Sequence, residues 1–86
     1  MKGDIKVENK LAVLAIIIED TDAAQKVNAL LHEFGEYVLG RMGLPYKKRN
    51  LNVISIVIDA PMQVINSLSG KLGMIDGVSS KTLTTR

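Results

Sequence analysis

The longest unbroken apolar stretch is Leu11 to Ile18, LAVLAIII, which stops at the polar group Glu19, Asp20, Thr21, Asp22. A short apolar run bounded by turn-forming residues predicts a buried strand, with a buried helix as the alternative that periodicity alone leaves open. The period then changes. Ala23, Val27, Leu30, Leu31 and Phe34 recur at helical spacing, with Gln25, Asn28, His32 and Glu33 falling away from that stripe. Thr21 or Asp22 is placed to cap this helix by accepting its free backbone N–H groups, and Gly35 to end it in a left-handed conformation. From Glu36 to Met42 the pattern alternates, Tyr37 and Leu39 against Val38, which predicts a second strand. Gly43, Leu44, Pro45 and the basic run Lys47, Lys48, Arg49 read as a connection. Leu51 to Ile58 predicts a third strand, with Val53, Ser55 and Val57 opposite Ile54, Ile56 and Ile58. Asp59, Ala60 and Pro61 are expected to open a second helix, since proline suits a first turn. Its stripe is Val64, Ile65, Leu68 and Leu72. Gly70 inside that pattern costs about 1 kcal/mol against alanine, so either the helix ends early or a neighbour packs closely there. Gly73 or Gly77 closes the unit, and Val78 to Thr85 predicts a last strand at an edge.

Strand, helix, strand, strand, helix, strand is the ferredoxin-like order. The expected architecture is α+β: an antiparallel four-stranded sheet with two helices on one face. One domain spans 11–86, and 1–10 is expected to be a flexible N-terminal segment. The first strand is apolar at every position, so both its faces seek cover. Two helices cover one face, and the chain supplies nothing obvious for the other. An exposed aliphatic sheet face marks an interface, so a homo-oligomer is expected. The alternative is that part of Met1 to Lys10 folds back as a cover.

Composition narrows the function classes. The chain has 86 residues, one domain's worth, and a domain of that size has a marginal core of its own. Phe34, Tyr37 and Tyr46 are the only aromatics, so the core is aliphatic. Cysteine is absent, which excludes disulfides, thiolate metal sites and cysteine nucleophiles. A small domain without disulfides is expected in the cytoplasm. Met1 to Lys10 alternates charge without an apolar stretch and is not expected to be a signal peptide, and no apolar run has the length of a membrane span. The net charge of +2 is too small to argue for nucleic acid.

Candidate chemistry is sparse. His32 is the single histidine and is expected to face solvent; one His without Cys cannot close a metal site within one chain, and a site shared across subunits is the alternative. Glu19, Asp20 and Asp22 could hold a hard cation, but acids at a helix start are equally explained as a cap favoured by the helix dipole. Lys47, Lys48 and Arg49 with Tyr46 have no accompanying nucleic-acid motif, so direct nucleic-acid binding is not expected. The informative stretch is Gly40, Arg41, Met42, Gly43, Leu44, Pro45, Tyr46. Gly40 within a strand suggests a bulge, Gly43 and Pro45 a fixed turn. Arg41 on an otherwise apolar strand needs a carboxylate or carbonyl partner. Gly40, Arg41, Met42, Gly43, Pro45 and Tyr46 are therefore the candidate ligand or subunit contact, with a kinked strand end bearing a surface arginine as the alternative. No nucleophile–base pair, phosphate loop or paired acids can be assembled. No catalytic residues, cofactor or metal ligands are assigned.

The same stretch, followed by Val53-Ile54-Ser55-Ile56-Val57-Ile58-Asp59, resembles the iron-only hydrogenase system regulators. Ile65-Asn66-Ser67-Leu68-Ser69-Gly70-Lys71-Leu72-Gly73, Gly77-Val78 and the opening Ala15-Ile16-Ile17-Ile18-Glu19-Asp20 are also similar to that family, so the resemblance runs from Leu11 to the C-terminus. It implies an ACT-like version of the ferredoxin-like fold, similar to the C-terminal domain of nickel-responsive repressors, which form tetramers and bind metal. It implies a regulatory, transcription-linked role without catalysis and favours a tetramer over a dimer. A small-molecule ligand at a subunit interface is part of that picture. The repressors' several histidines and cysteine have no counterpart beyond His32, and the turn Glu19-Asp20-Thr21-Asp22 lacks the glycine beside which ACT domains hold amino acids. Three readings follow: a ligand- or partner-binding regulatory module, a metal sensor with sites shared between subunits, or a purely structural assembly domain.

Overall fold

A computed structural model describes residues 8–85. Strand β1 (Asn9–Ile18) leads into helix α1 (Thr21–Glu33). A 3₁₀ turn over Gly35–Tyr37 precedes β2 (Val38–Tyr46), and a second over Lys47–Arg49 joins β2 to β3 (Leu51–Pro61). Helix α2 (Met62–Gly73) and β4 (Val78–Thr84) complete the chain. The strands form one antiparallel sheet in the order β2-β3-β1-β4. This is the ferredoxin-like βαββαβ arrangement, with the most apolar strand at the centre.

Register turns the sequence pattern into two faces. On the helix side the rows across β2, β3, β1 and β4 read Arg41-Ile56-Leu14-Thr82 and Gly43-Ile54-Ile16-Ser80. Leu14, Ile16, Ile56 and Ile58 are buried there under Val27 and Leu31 of α1 and Ile65, Leu68 and Leu72 of α2. The aliphatic core and both helical stripes are as the pattern predicts. Buried positions alternate along β1 and β3, as in a sheet covered on one side only.

Several boundaries differ from expectation. Residues 1–7 of the expected flexible segment lie outside the described residues, whereas Asn9 and Lys10 belong to β1 and pair with Pro61 and Ala60. That longer β1 gives Asp59, Ala60 and Pro61 ladder partners. They therefore extend β3 instead of opening α2, and Pro61 keeps extended backbone (φ −59°, ψ 152°) as the residue before the helix. Glu36 and Tyr37 lie in the 3₁₀ turn rather than in a strand. Gly43, Leu44 and Pro45 are strand rather than connection; β2 is an edge strand, where proline is tolerated. Asp20, not Thr21 or Asp22, caps α1: its backbone is extended and its Oδ1 accepts from the Asp22 N–H at 3.0 Å. Gly35 does not take a left-handed conformation, because the chain passes at Phe34 (φ −96°, ψ 14°) directly into the 3₁₀ turn. At Gly70 neither alternative holds: α2 runs on to Gly73, and a Cβ there would meet nothing within 4 Å. Gly77 is the glycine that closes the unit, with φ +81°. Its carbonyl accepts from Glu19 N–H at 2.8 Å, which ties the start of β4 to the end of β1.

Candidate functional site

The stretch Gly40 to Tyr46 lies on the edge strand β2, and its alternation divides it between two surfaces. A register shift between Val38 and Gly40 marks the bulge that Gly40 suggests. It also changes the parity of the strand. Val38 faces the helices opposite Ile58, whereas Gly40, Met42, Leu44 and Tyr46 turn to the open face and Arg41, Gly43 and Pro45 to the helix side.

On the open face the rows read Gly40-Val57-Val13-Leu83, Met42-Ser55-Ala15-Lys81 and Leu44-Val53-Ile17-Ser79. Val13 is 36% exposed, Ile17 41%, Met42 70% and Leu83 73%. No helix of the described residues covers this face. Its middle row is small at Ser55 and Ala15, and two shallow hollows flank the centre, one beside Ser55 and Val57 and one beside Ala15 and Ile17. The charged side chains Lys81 and Asp59 lie towards its margins.

On the helix side, α2 covers the β4 flank, where Thr82 Oγ1 donates to Ser69 Oγ at 3.2 Å. Helix α1 leaves β2 only partly covered. A cleft therefore runs between α1 and β2, in two compartments of about 310 and 500 Å³. Arg41 and Asn28 belong to both compartments, and the Arg41 Nη2 donates to Asn28 Oδ1 at 2.9 Å where they meet. The side-chain carbonyl of Asn28 is the partner that an arginine on this strand calls for. Asn28 and His32 are one turn apart on α1, and both line the larger compartment. His32 is exposed, yet it faces the cleft rather than only bulk solvent. Gly43 contributes no side chain to the floor, and a Cβ there would meet nothing within 4 Å.

The structure thus brings Arg41, Gly43 and Pro45 together with Asn28, His32 and Asn52, and separates them from Met42 and Tyr46. Asn28, His32 and Asn52 were not among the candidate site residues. The polar strip Asn28-His32 beside the apolar stripe of α1 is the signal that bears on them, but only the pairing of β2 shows which strand the strip faces. Lys47, Lys48 and Arg49 are exposed on the hairpin turn, followed by Asn50 in a left-handed conformation (φ 55°). Among the described residues, no group of three or more His, Asp or Glu side chains is placed to hold a metal ion. No helix of the described residues is long and apolar enough to cross a membrane.

A family model, TM1266-like, described provisionally as an iron-only hydrogenase system regulator, matches residues 10–82. The chain belongs to the TM1266-like family. The match takes in the whole of β2 and the cleft, and all of the sheet but the first residue of β1 and the last two of β4. This TM1266-like chain is also similar to a solved structure, that of the uncharacterized protein TM1266 from Thermotoga maritima. The two are 38% identical over 92% of this chain and 100% of that one, with a TM-score of 0.88. No curated protein matches the TM1266-like chain.

Proposed function

We propose that this protein is a non-catalytic regulatory module of the iron-only hydrogenase system, acting in the cytoplasm as a homo-oligomer and contributing to transcriptional control by binding a small ligand or partner. The observation that carries the reading is the sheet face that no helix of the described residues covers, apolar from Leu44 through Val53 and Ile17, and from Val57 through Val13 to Leu83. Burying several hundred Å² of such surface contributes roughly 25 cal/mol per Å² before the cost of association. That is comparable with the whole stability of a small domain. Two copies stacked through this face leave both helical layers outside, and a pair of such dimers makes the tetramer favoured here.

Light scattering across a dilution series tests the assembly. The expected result is an oligomer at micromolar concentration that Val13→Asp and Ile17→Asp convert to monomer. A wild-type monomer persisting at high micromolar concentration, with the segment before β1 protected from hydrogen exchange, would show that the chain covers itself.

A further inference from the structure

We infer that the cleft between α1 and β2 is a binding site for a small organic carboxylate with a compact aliphatic body, held by Arg41. The inference deepens the regulatory reading, from which it takes only the expectation that the module has a ligand. The cleft lies within one chain; its larger compartment is on the helix side of β2, and the smaller one also reaches Leu44 and Val53.

The chemistry follows from what meets there. Arg41 projects from an edge strand into the cleft and spends one donor on Asn28 Oδ1, at 2.9 Å. A guanidinium has five N–H donors in a planar fork, so the others remain to grip a carboxylate in bidentate fashion. No acidic side chain lines either compartment, so Arg41 meets no carboxylate from the described residues there. Asn28 and His32 add polar groups on one side, and Asn52 on the other. The smaller compartment, about 310 Å³, is otherwise lined by Ile18, Ala24, Leu44, Pro45, Val53 and Ile54, which suits an aliphatic body. That volume is at the lower end of small-molecule sites, so the ligand is small. Gly43, two residues from Arg41 on the same side of β2, leaves the floor of the smaller compartment open, so a side chain there would compete with the ligand for space. A lone lysine would attract an anion but not orient it. The fork, braced by Asn28, supplies direction.

Isovalerate is a suitable probe, with isovaleramide as its uncharged counterpart and inorganic phosphate as an anion without an aliphatic body. Isovalerate is expected to raise the melting temperature in a concentration-dependent way, because it binds only the folded state. In ¹H–¹⁵N spectra it should move the side-chain resonances of Arg41 and Asn28. Arg41→Gln should weaken the response roughly ten- to hundredfold, the scale of a hydrogen-bonded charge, without changing the unliganded fold. Isovaleramide and phosphate should be much weaker. The inference is overturned by an absent response at tens of millimolar, by an undiminished response in Arg41→Gln, or by phosphate matching isovalerate. Val13→Asp, which acts on the open face alone, should retain the isovalerate response. Loss of assembly and loss of the ligand site are thereby read separately.

Discussion

At the scale of single residues, three glycines and one cap illustrate how local geometry sets the sign of a substitution. Gly77 holds φ +81°, and a Cβ there would lie 2.8 Å from the Cβ of Asp20. Gly77→Ala therefore combines backbone strain with a clash against the residue that caps α1. It is expected to destabilise by about 2 kcal/mol or more in urea denaturation. Gly70 is the opposite case: helical, exposed and with open space around it. Gly70→Ala should stabilise by up to about 1 kcal/mol, and an unchanged or lowered midpoint would show that the open space is needed. Asp20→Ala removes the cap and should cost about 1 kcal/mol. Gly43→Ala should leave stability nearly unchanged while reducing carboxylate binding, since its added methyl meets only the cleft. For Arg41, a single exposed hydrogen bond to Asn28 gives Arg41→Lys a stability cost below about 1 kcal/mol.

At the scale of elements, the sequence and the fold agree where burial dictates pattern and part where pairing does. The two helical stripes, the apolar β1 and the alternating β3 were legible because burial between helices and sheet dictates the pattern within each element, with no need of a distant partner. The limits of β2 and β3 were not. Glu36 and Tyr37 alternate like strand residues but have no ladder partner, and Asp59 to Pro61 resemble a helix start but find partners in Asn9 to Leu11. Those partners are some 50 residues away in the chain, beyond what any local signal carries. The candidate site was legible in part for the same reason. The bulge at Gly40 and the need of Arg41 for a partner follow from residue type. That Met42 and Arg41 serve opposite surfaces, and that Asn28 and His32 join Arg41, depends on register. The helices meet at one end through Lys71, whose Nζ lies 3.2 Å from Glu33 Oε2 and 5.4 Å from the centre of the Phe34 ring. Both charged groups are at least half exposed, so Lys71→Ala should lower stability by less than about 1 kcal/mol.

For the whole molecule, assembly and stability are one quantity if the open face is the interface. The melting temperature of the wild type should then rise with protein concentration, because the partner copy binds only the folded chain. Val13→Asp should remove that dependence and lower the melting temperature at every concentration. A concentration-independent transition in the wild type would separate the face from the stability of the domain.

The central place of β1 also governs how the chain reaches this fold. β1 pairs with β3 and β4, both distant in sequence, whereas the β2–β3 hairpin and the helices are local. During synthesis the most apolar segment emerges before either of its partners exists. It must wait, unpaired, through α1 and β2 before β3 can join it, and through α2 before β4 closes its other side. Long loops must close before those contacts repay the lost chain entropy. Stopped-flow refolding should therefore show an early local phase followed by a slower docking of β1, with yield falling as concentration rises because waiting chains associate through LAVLAIII.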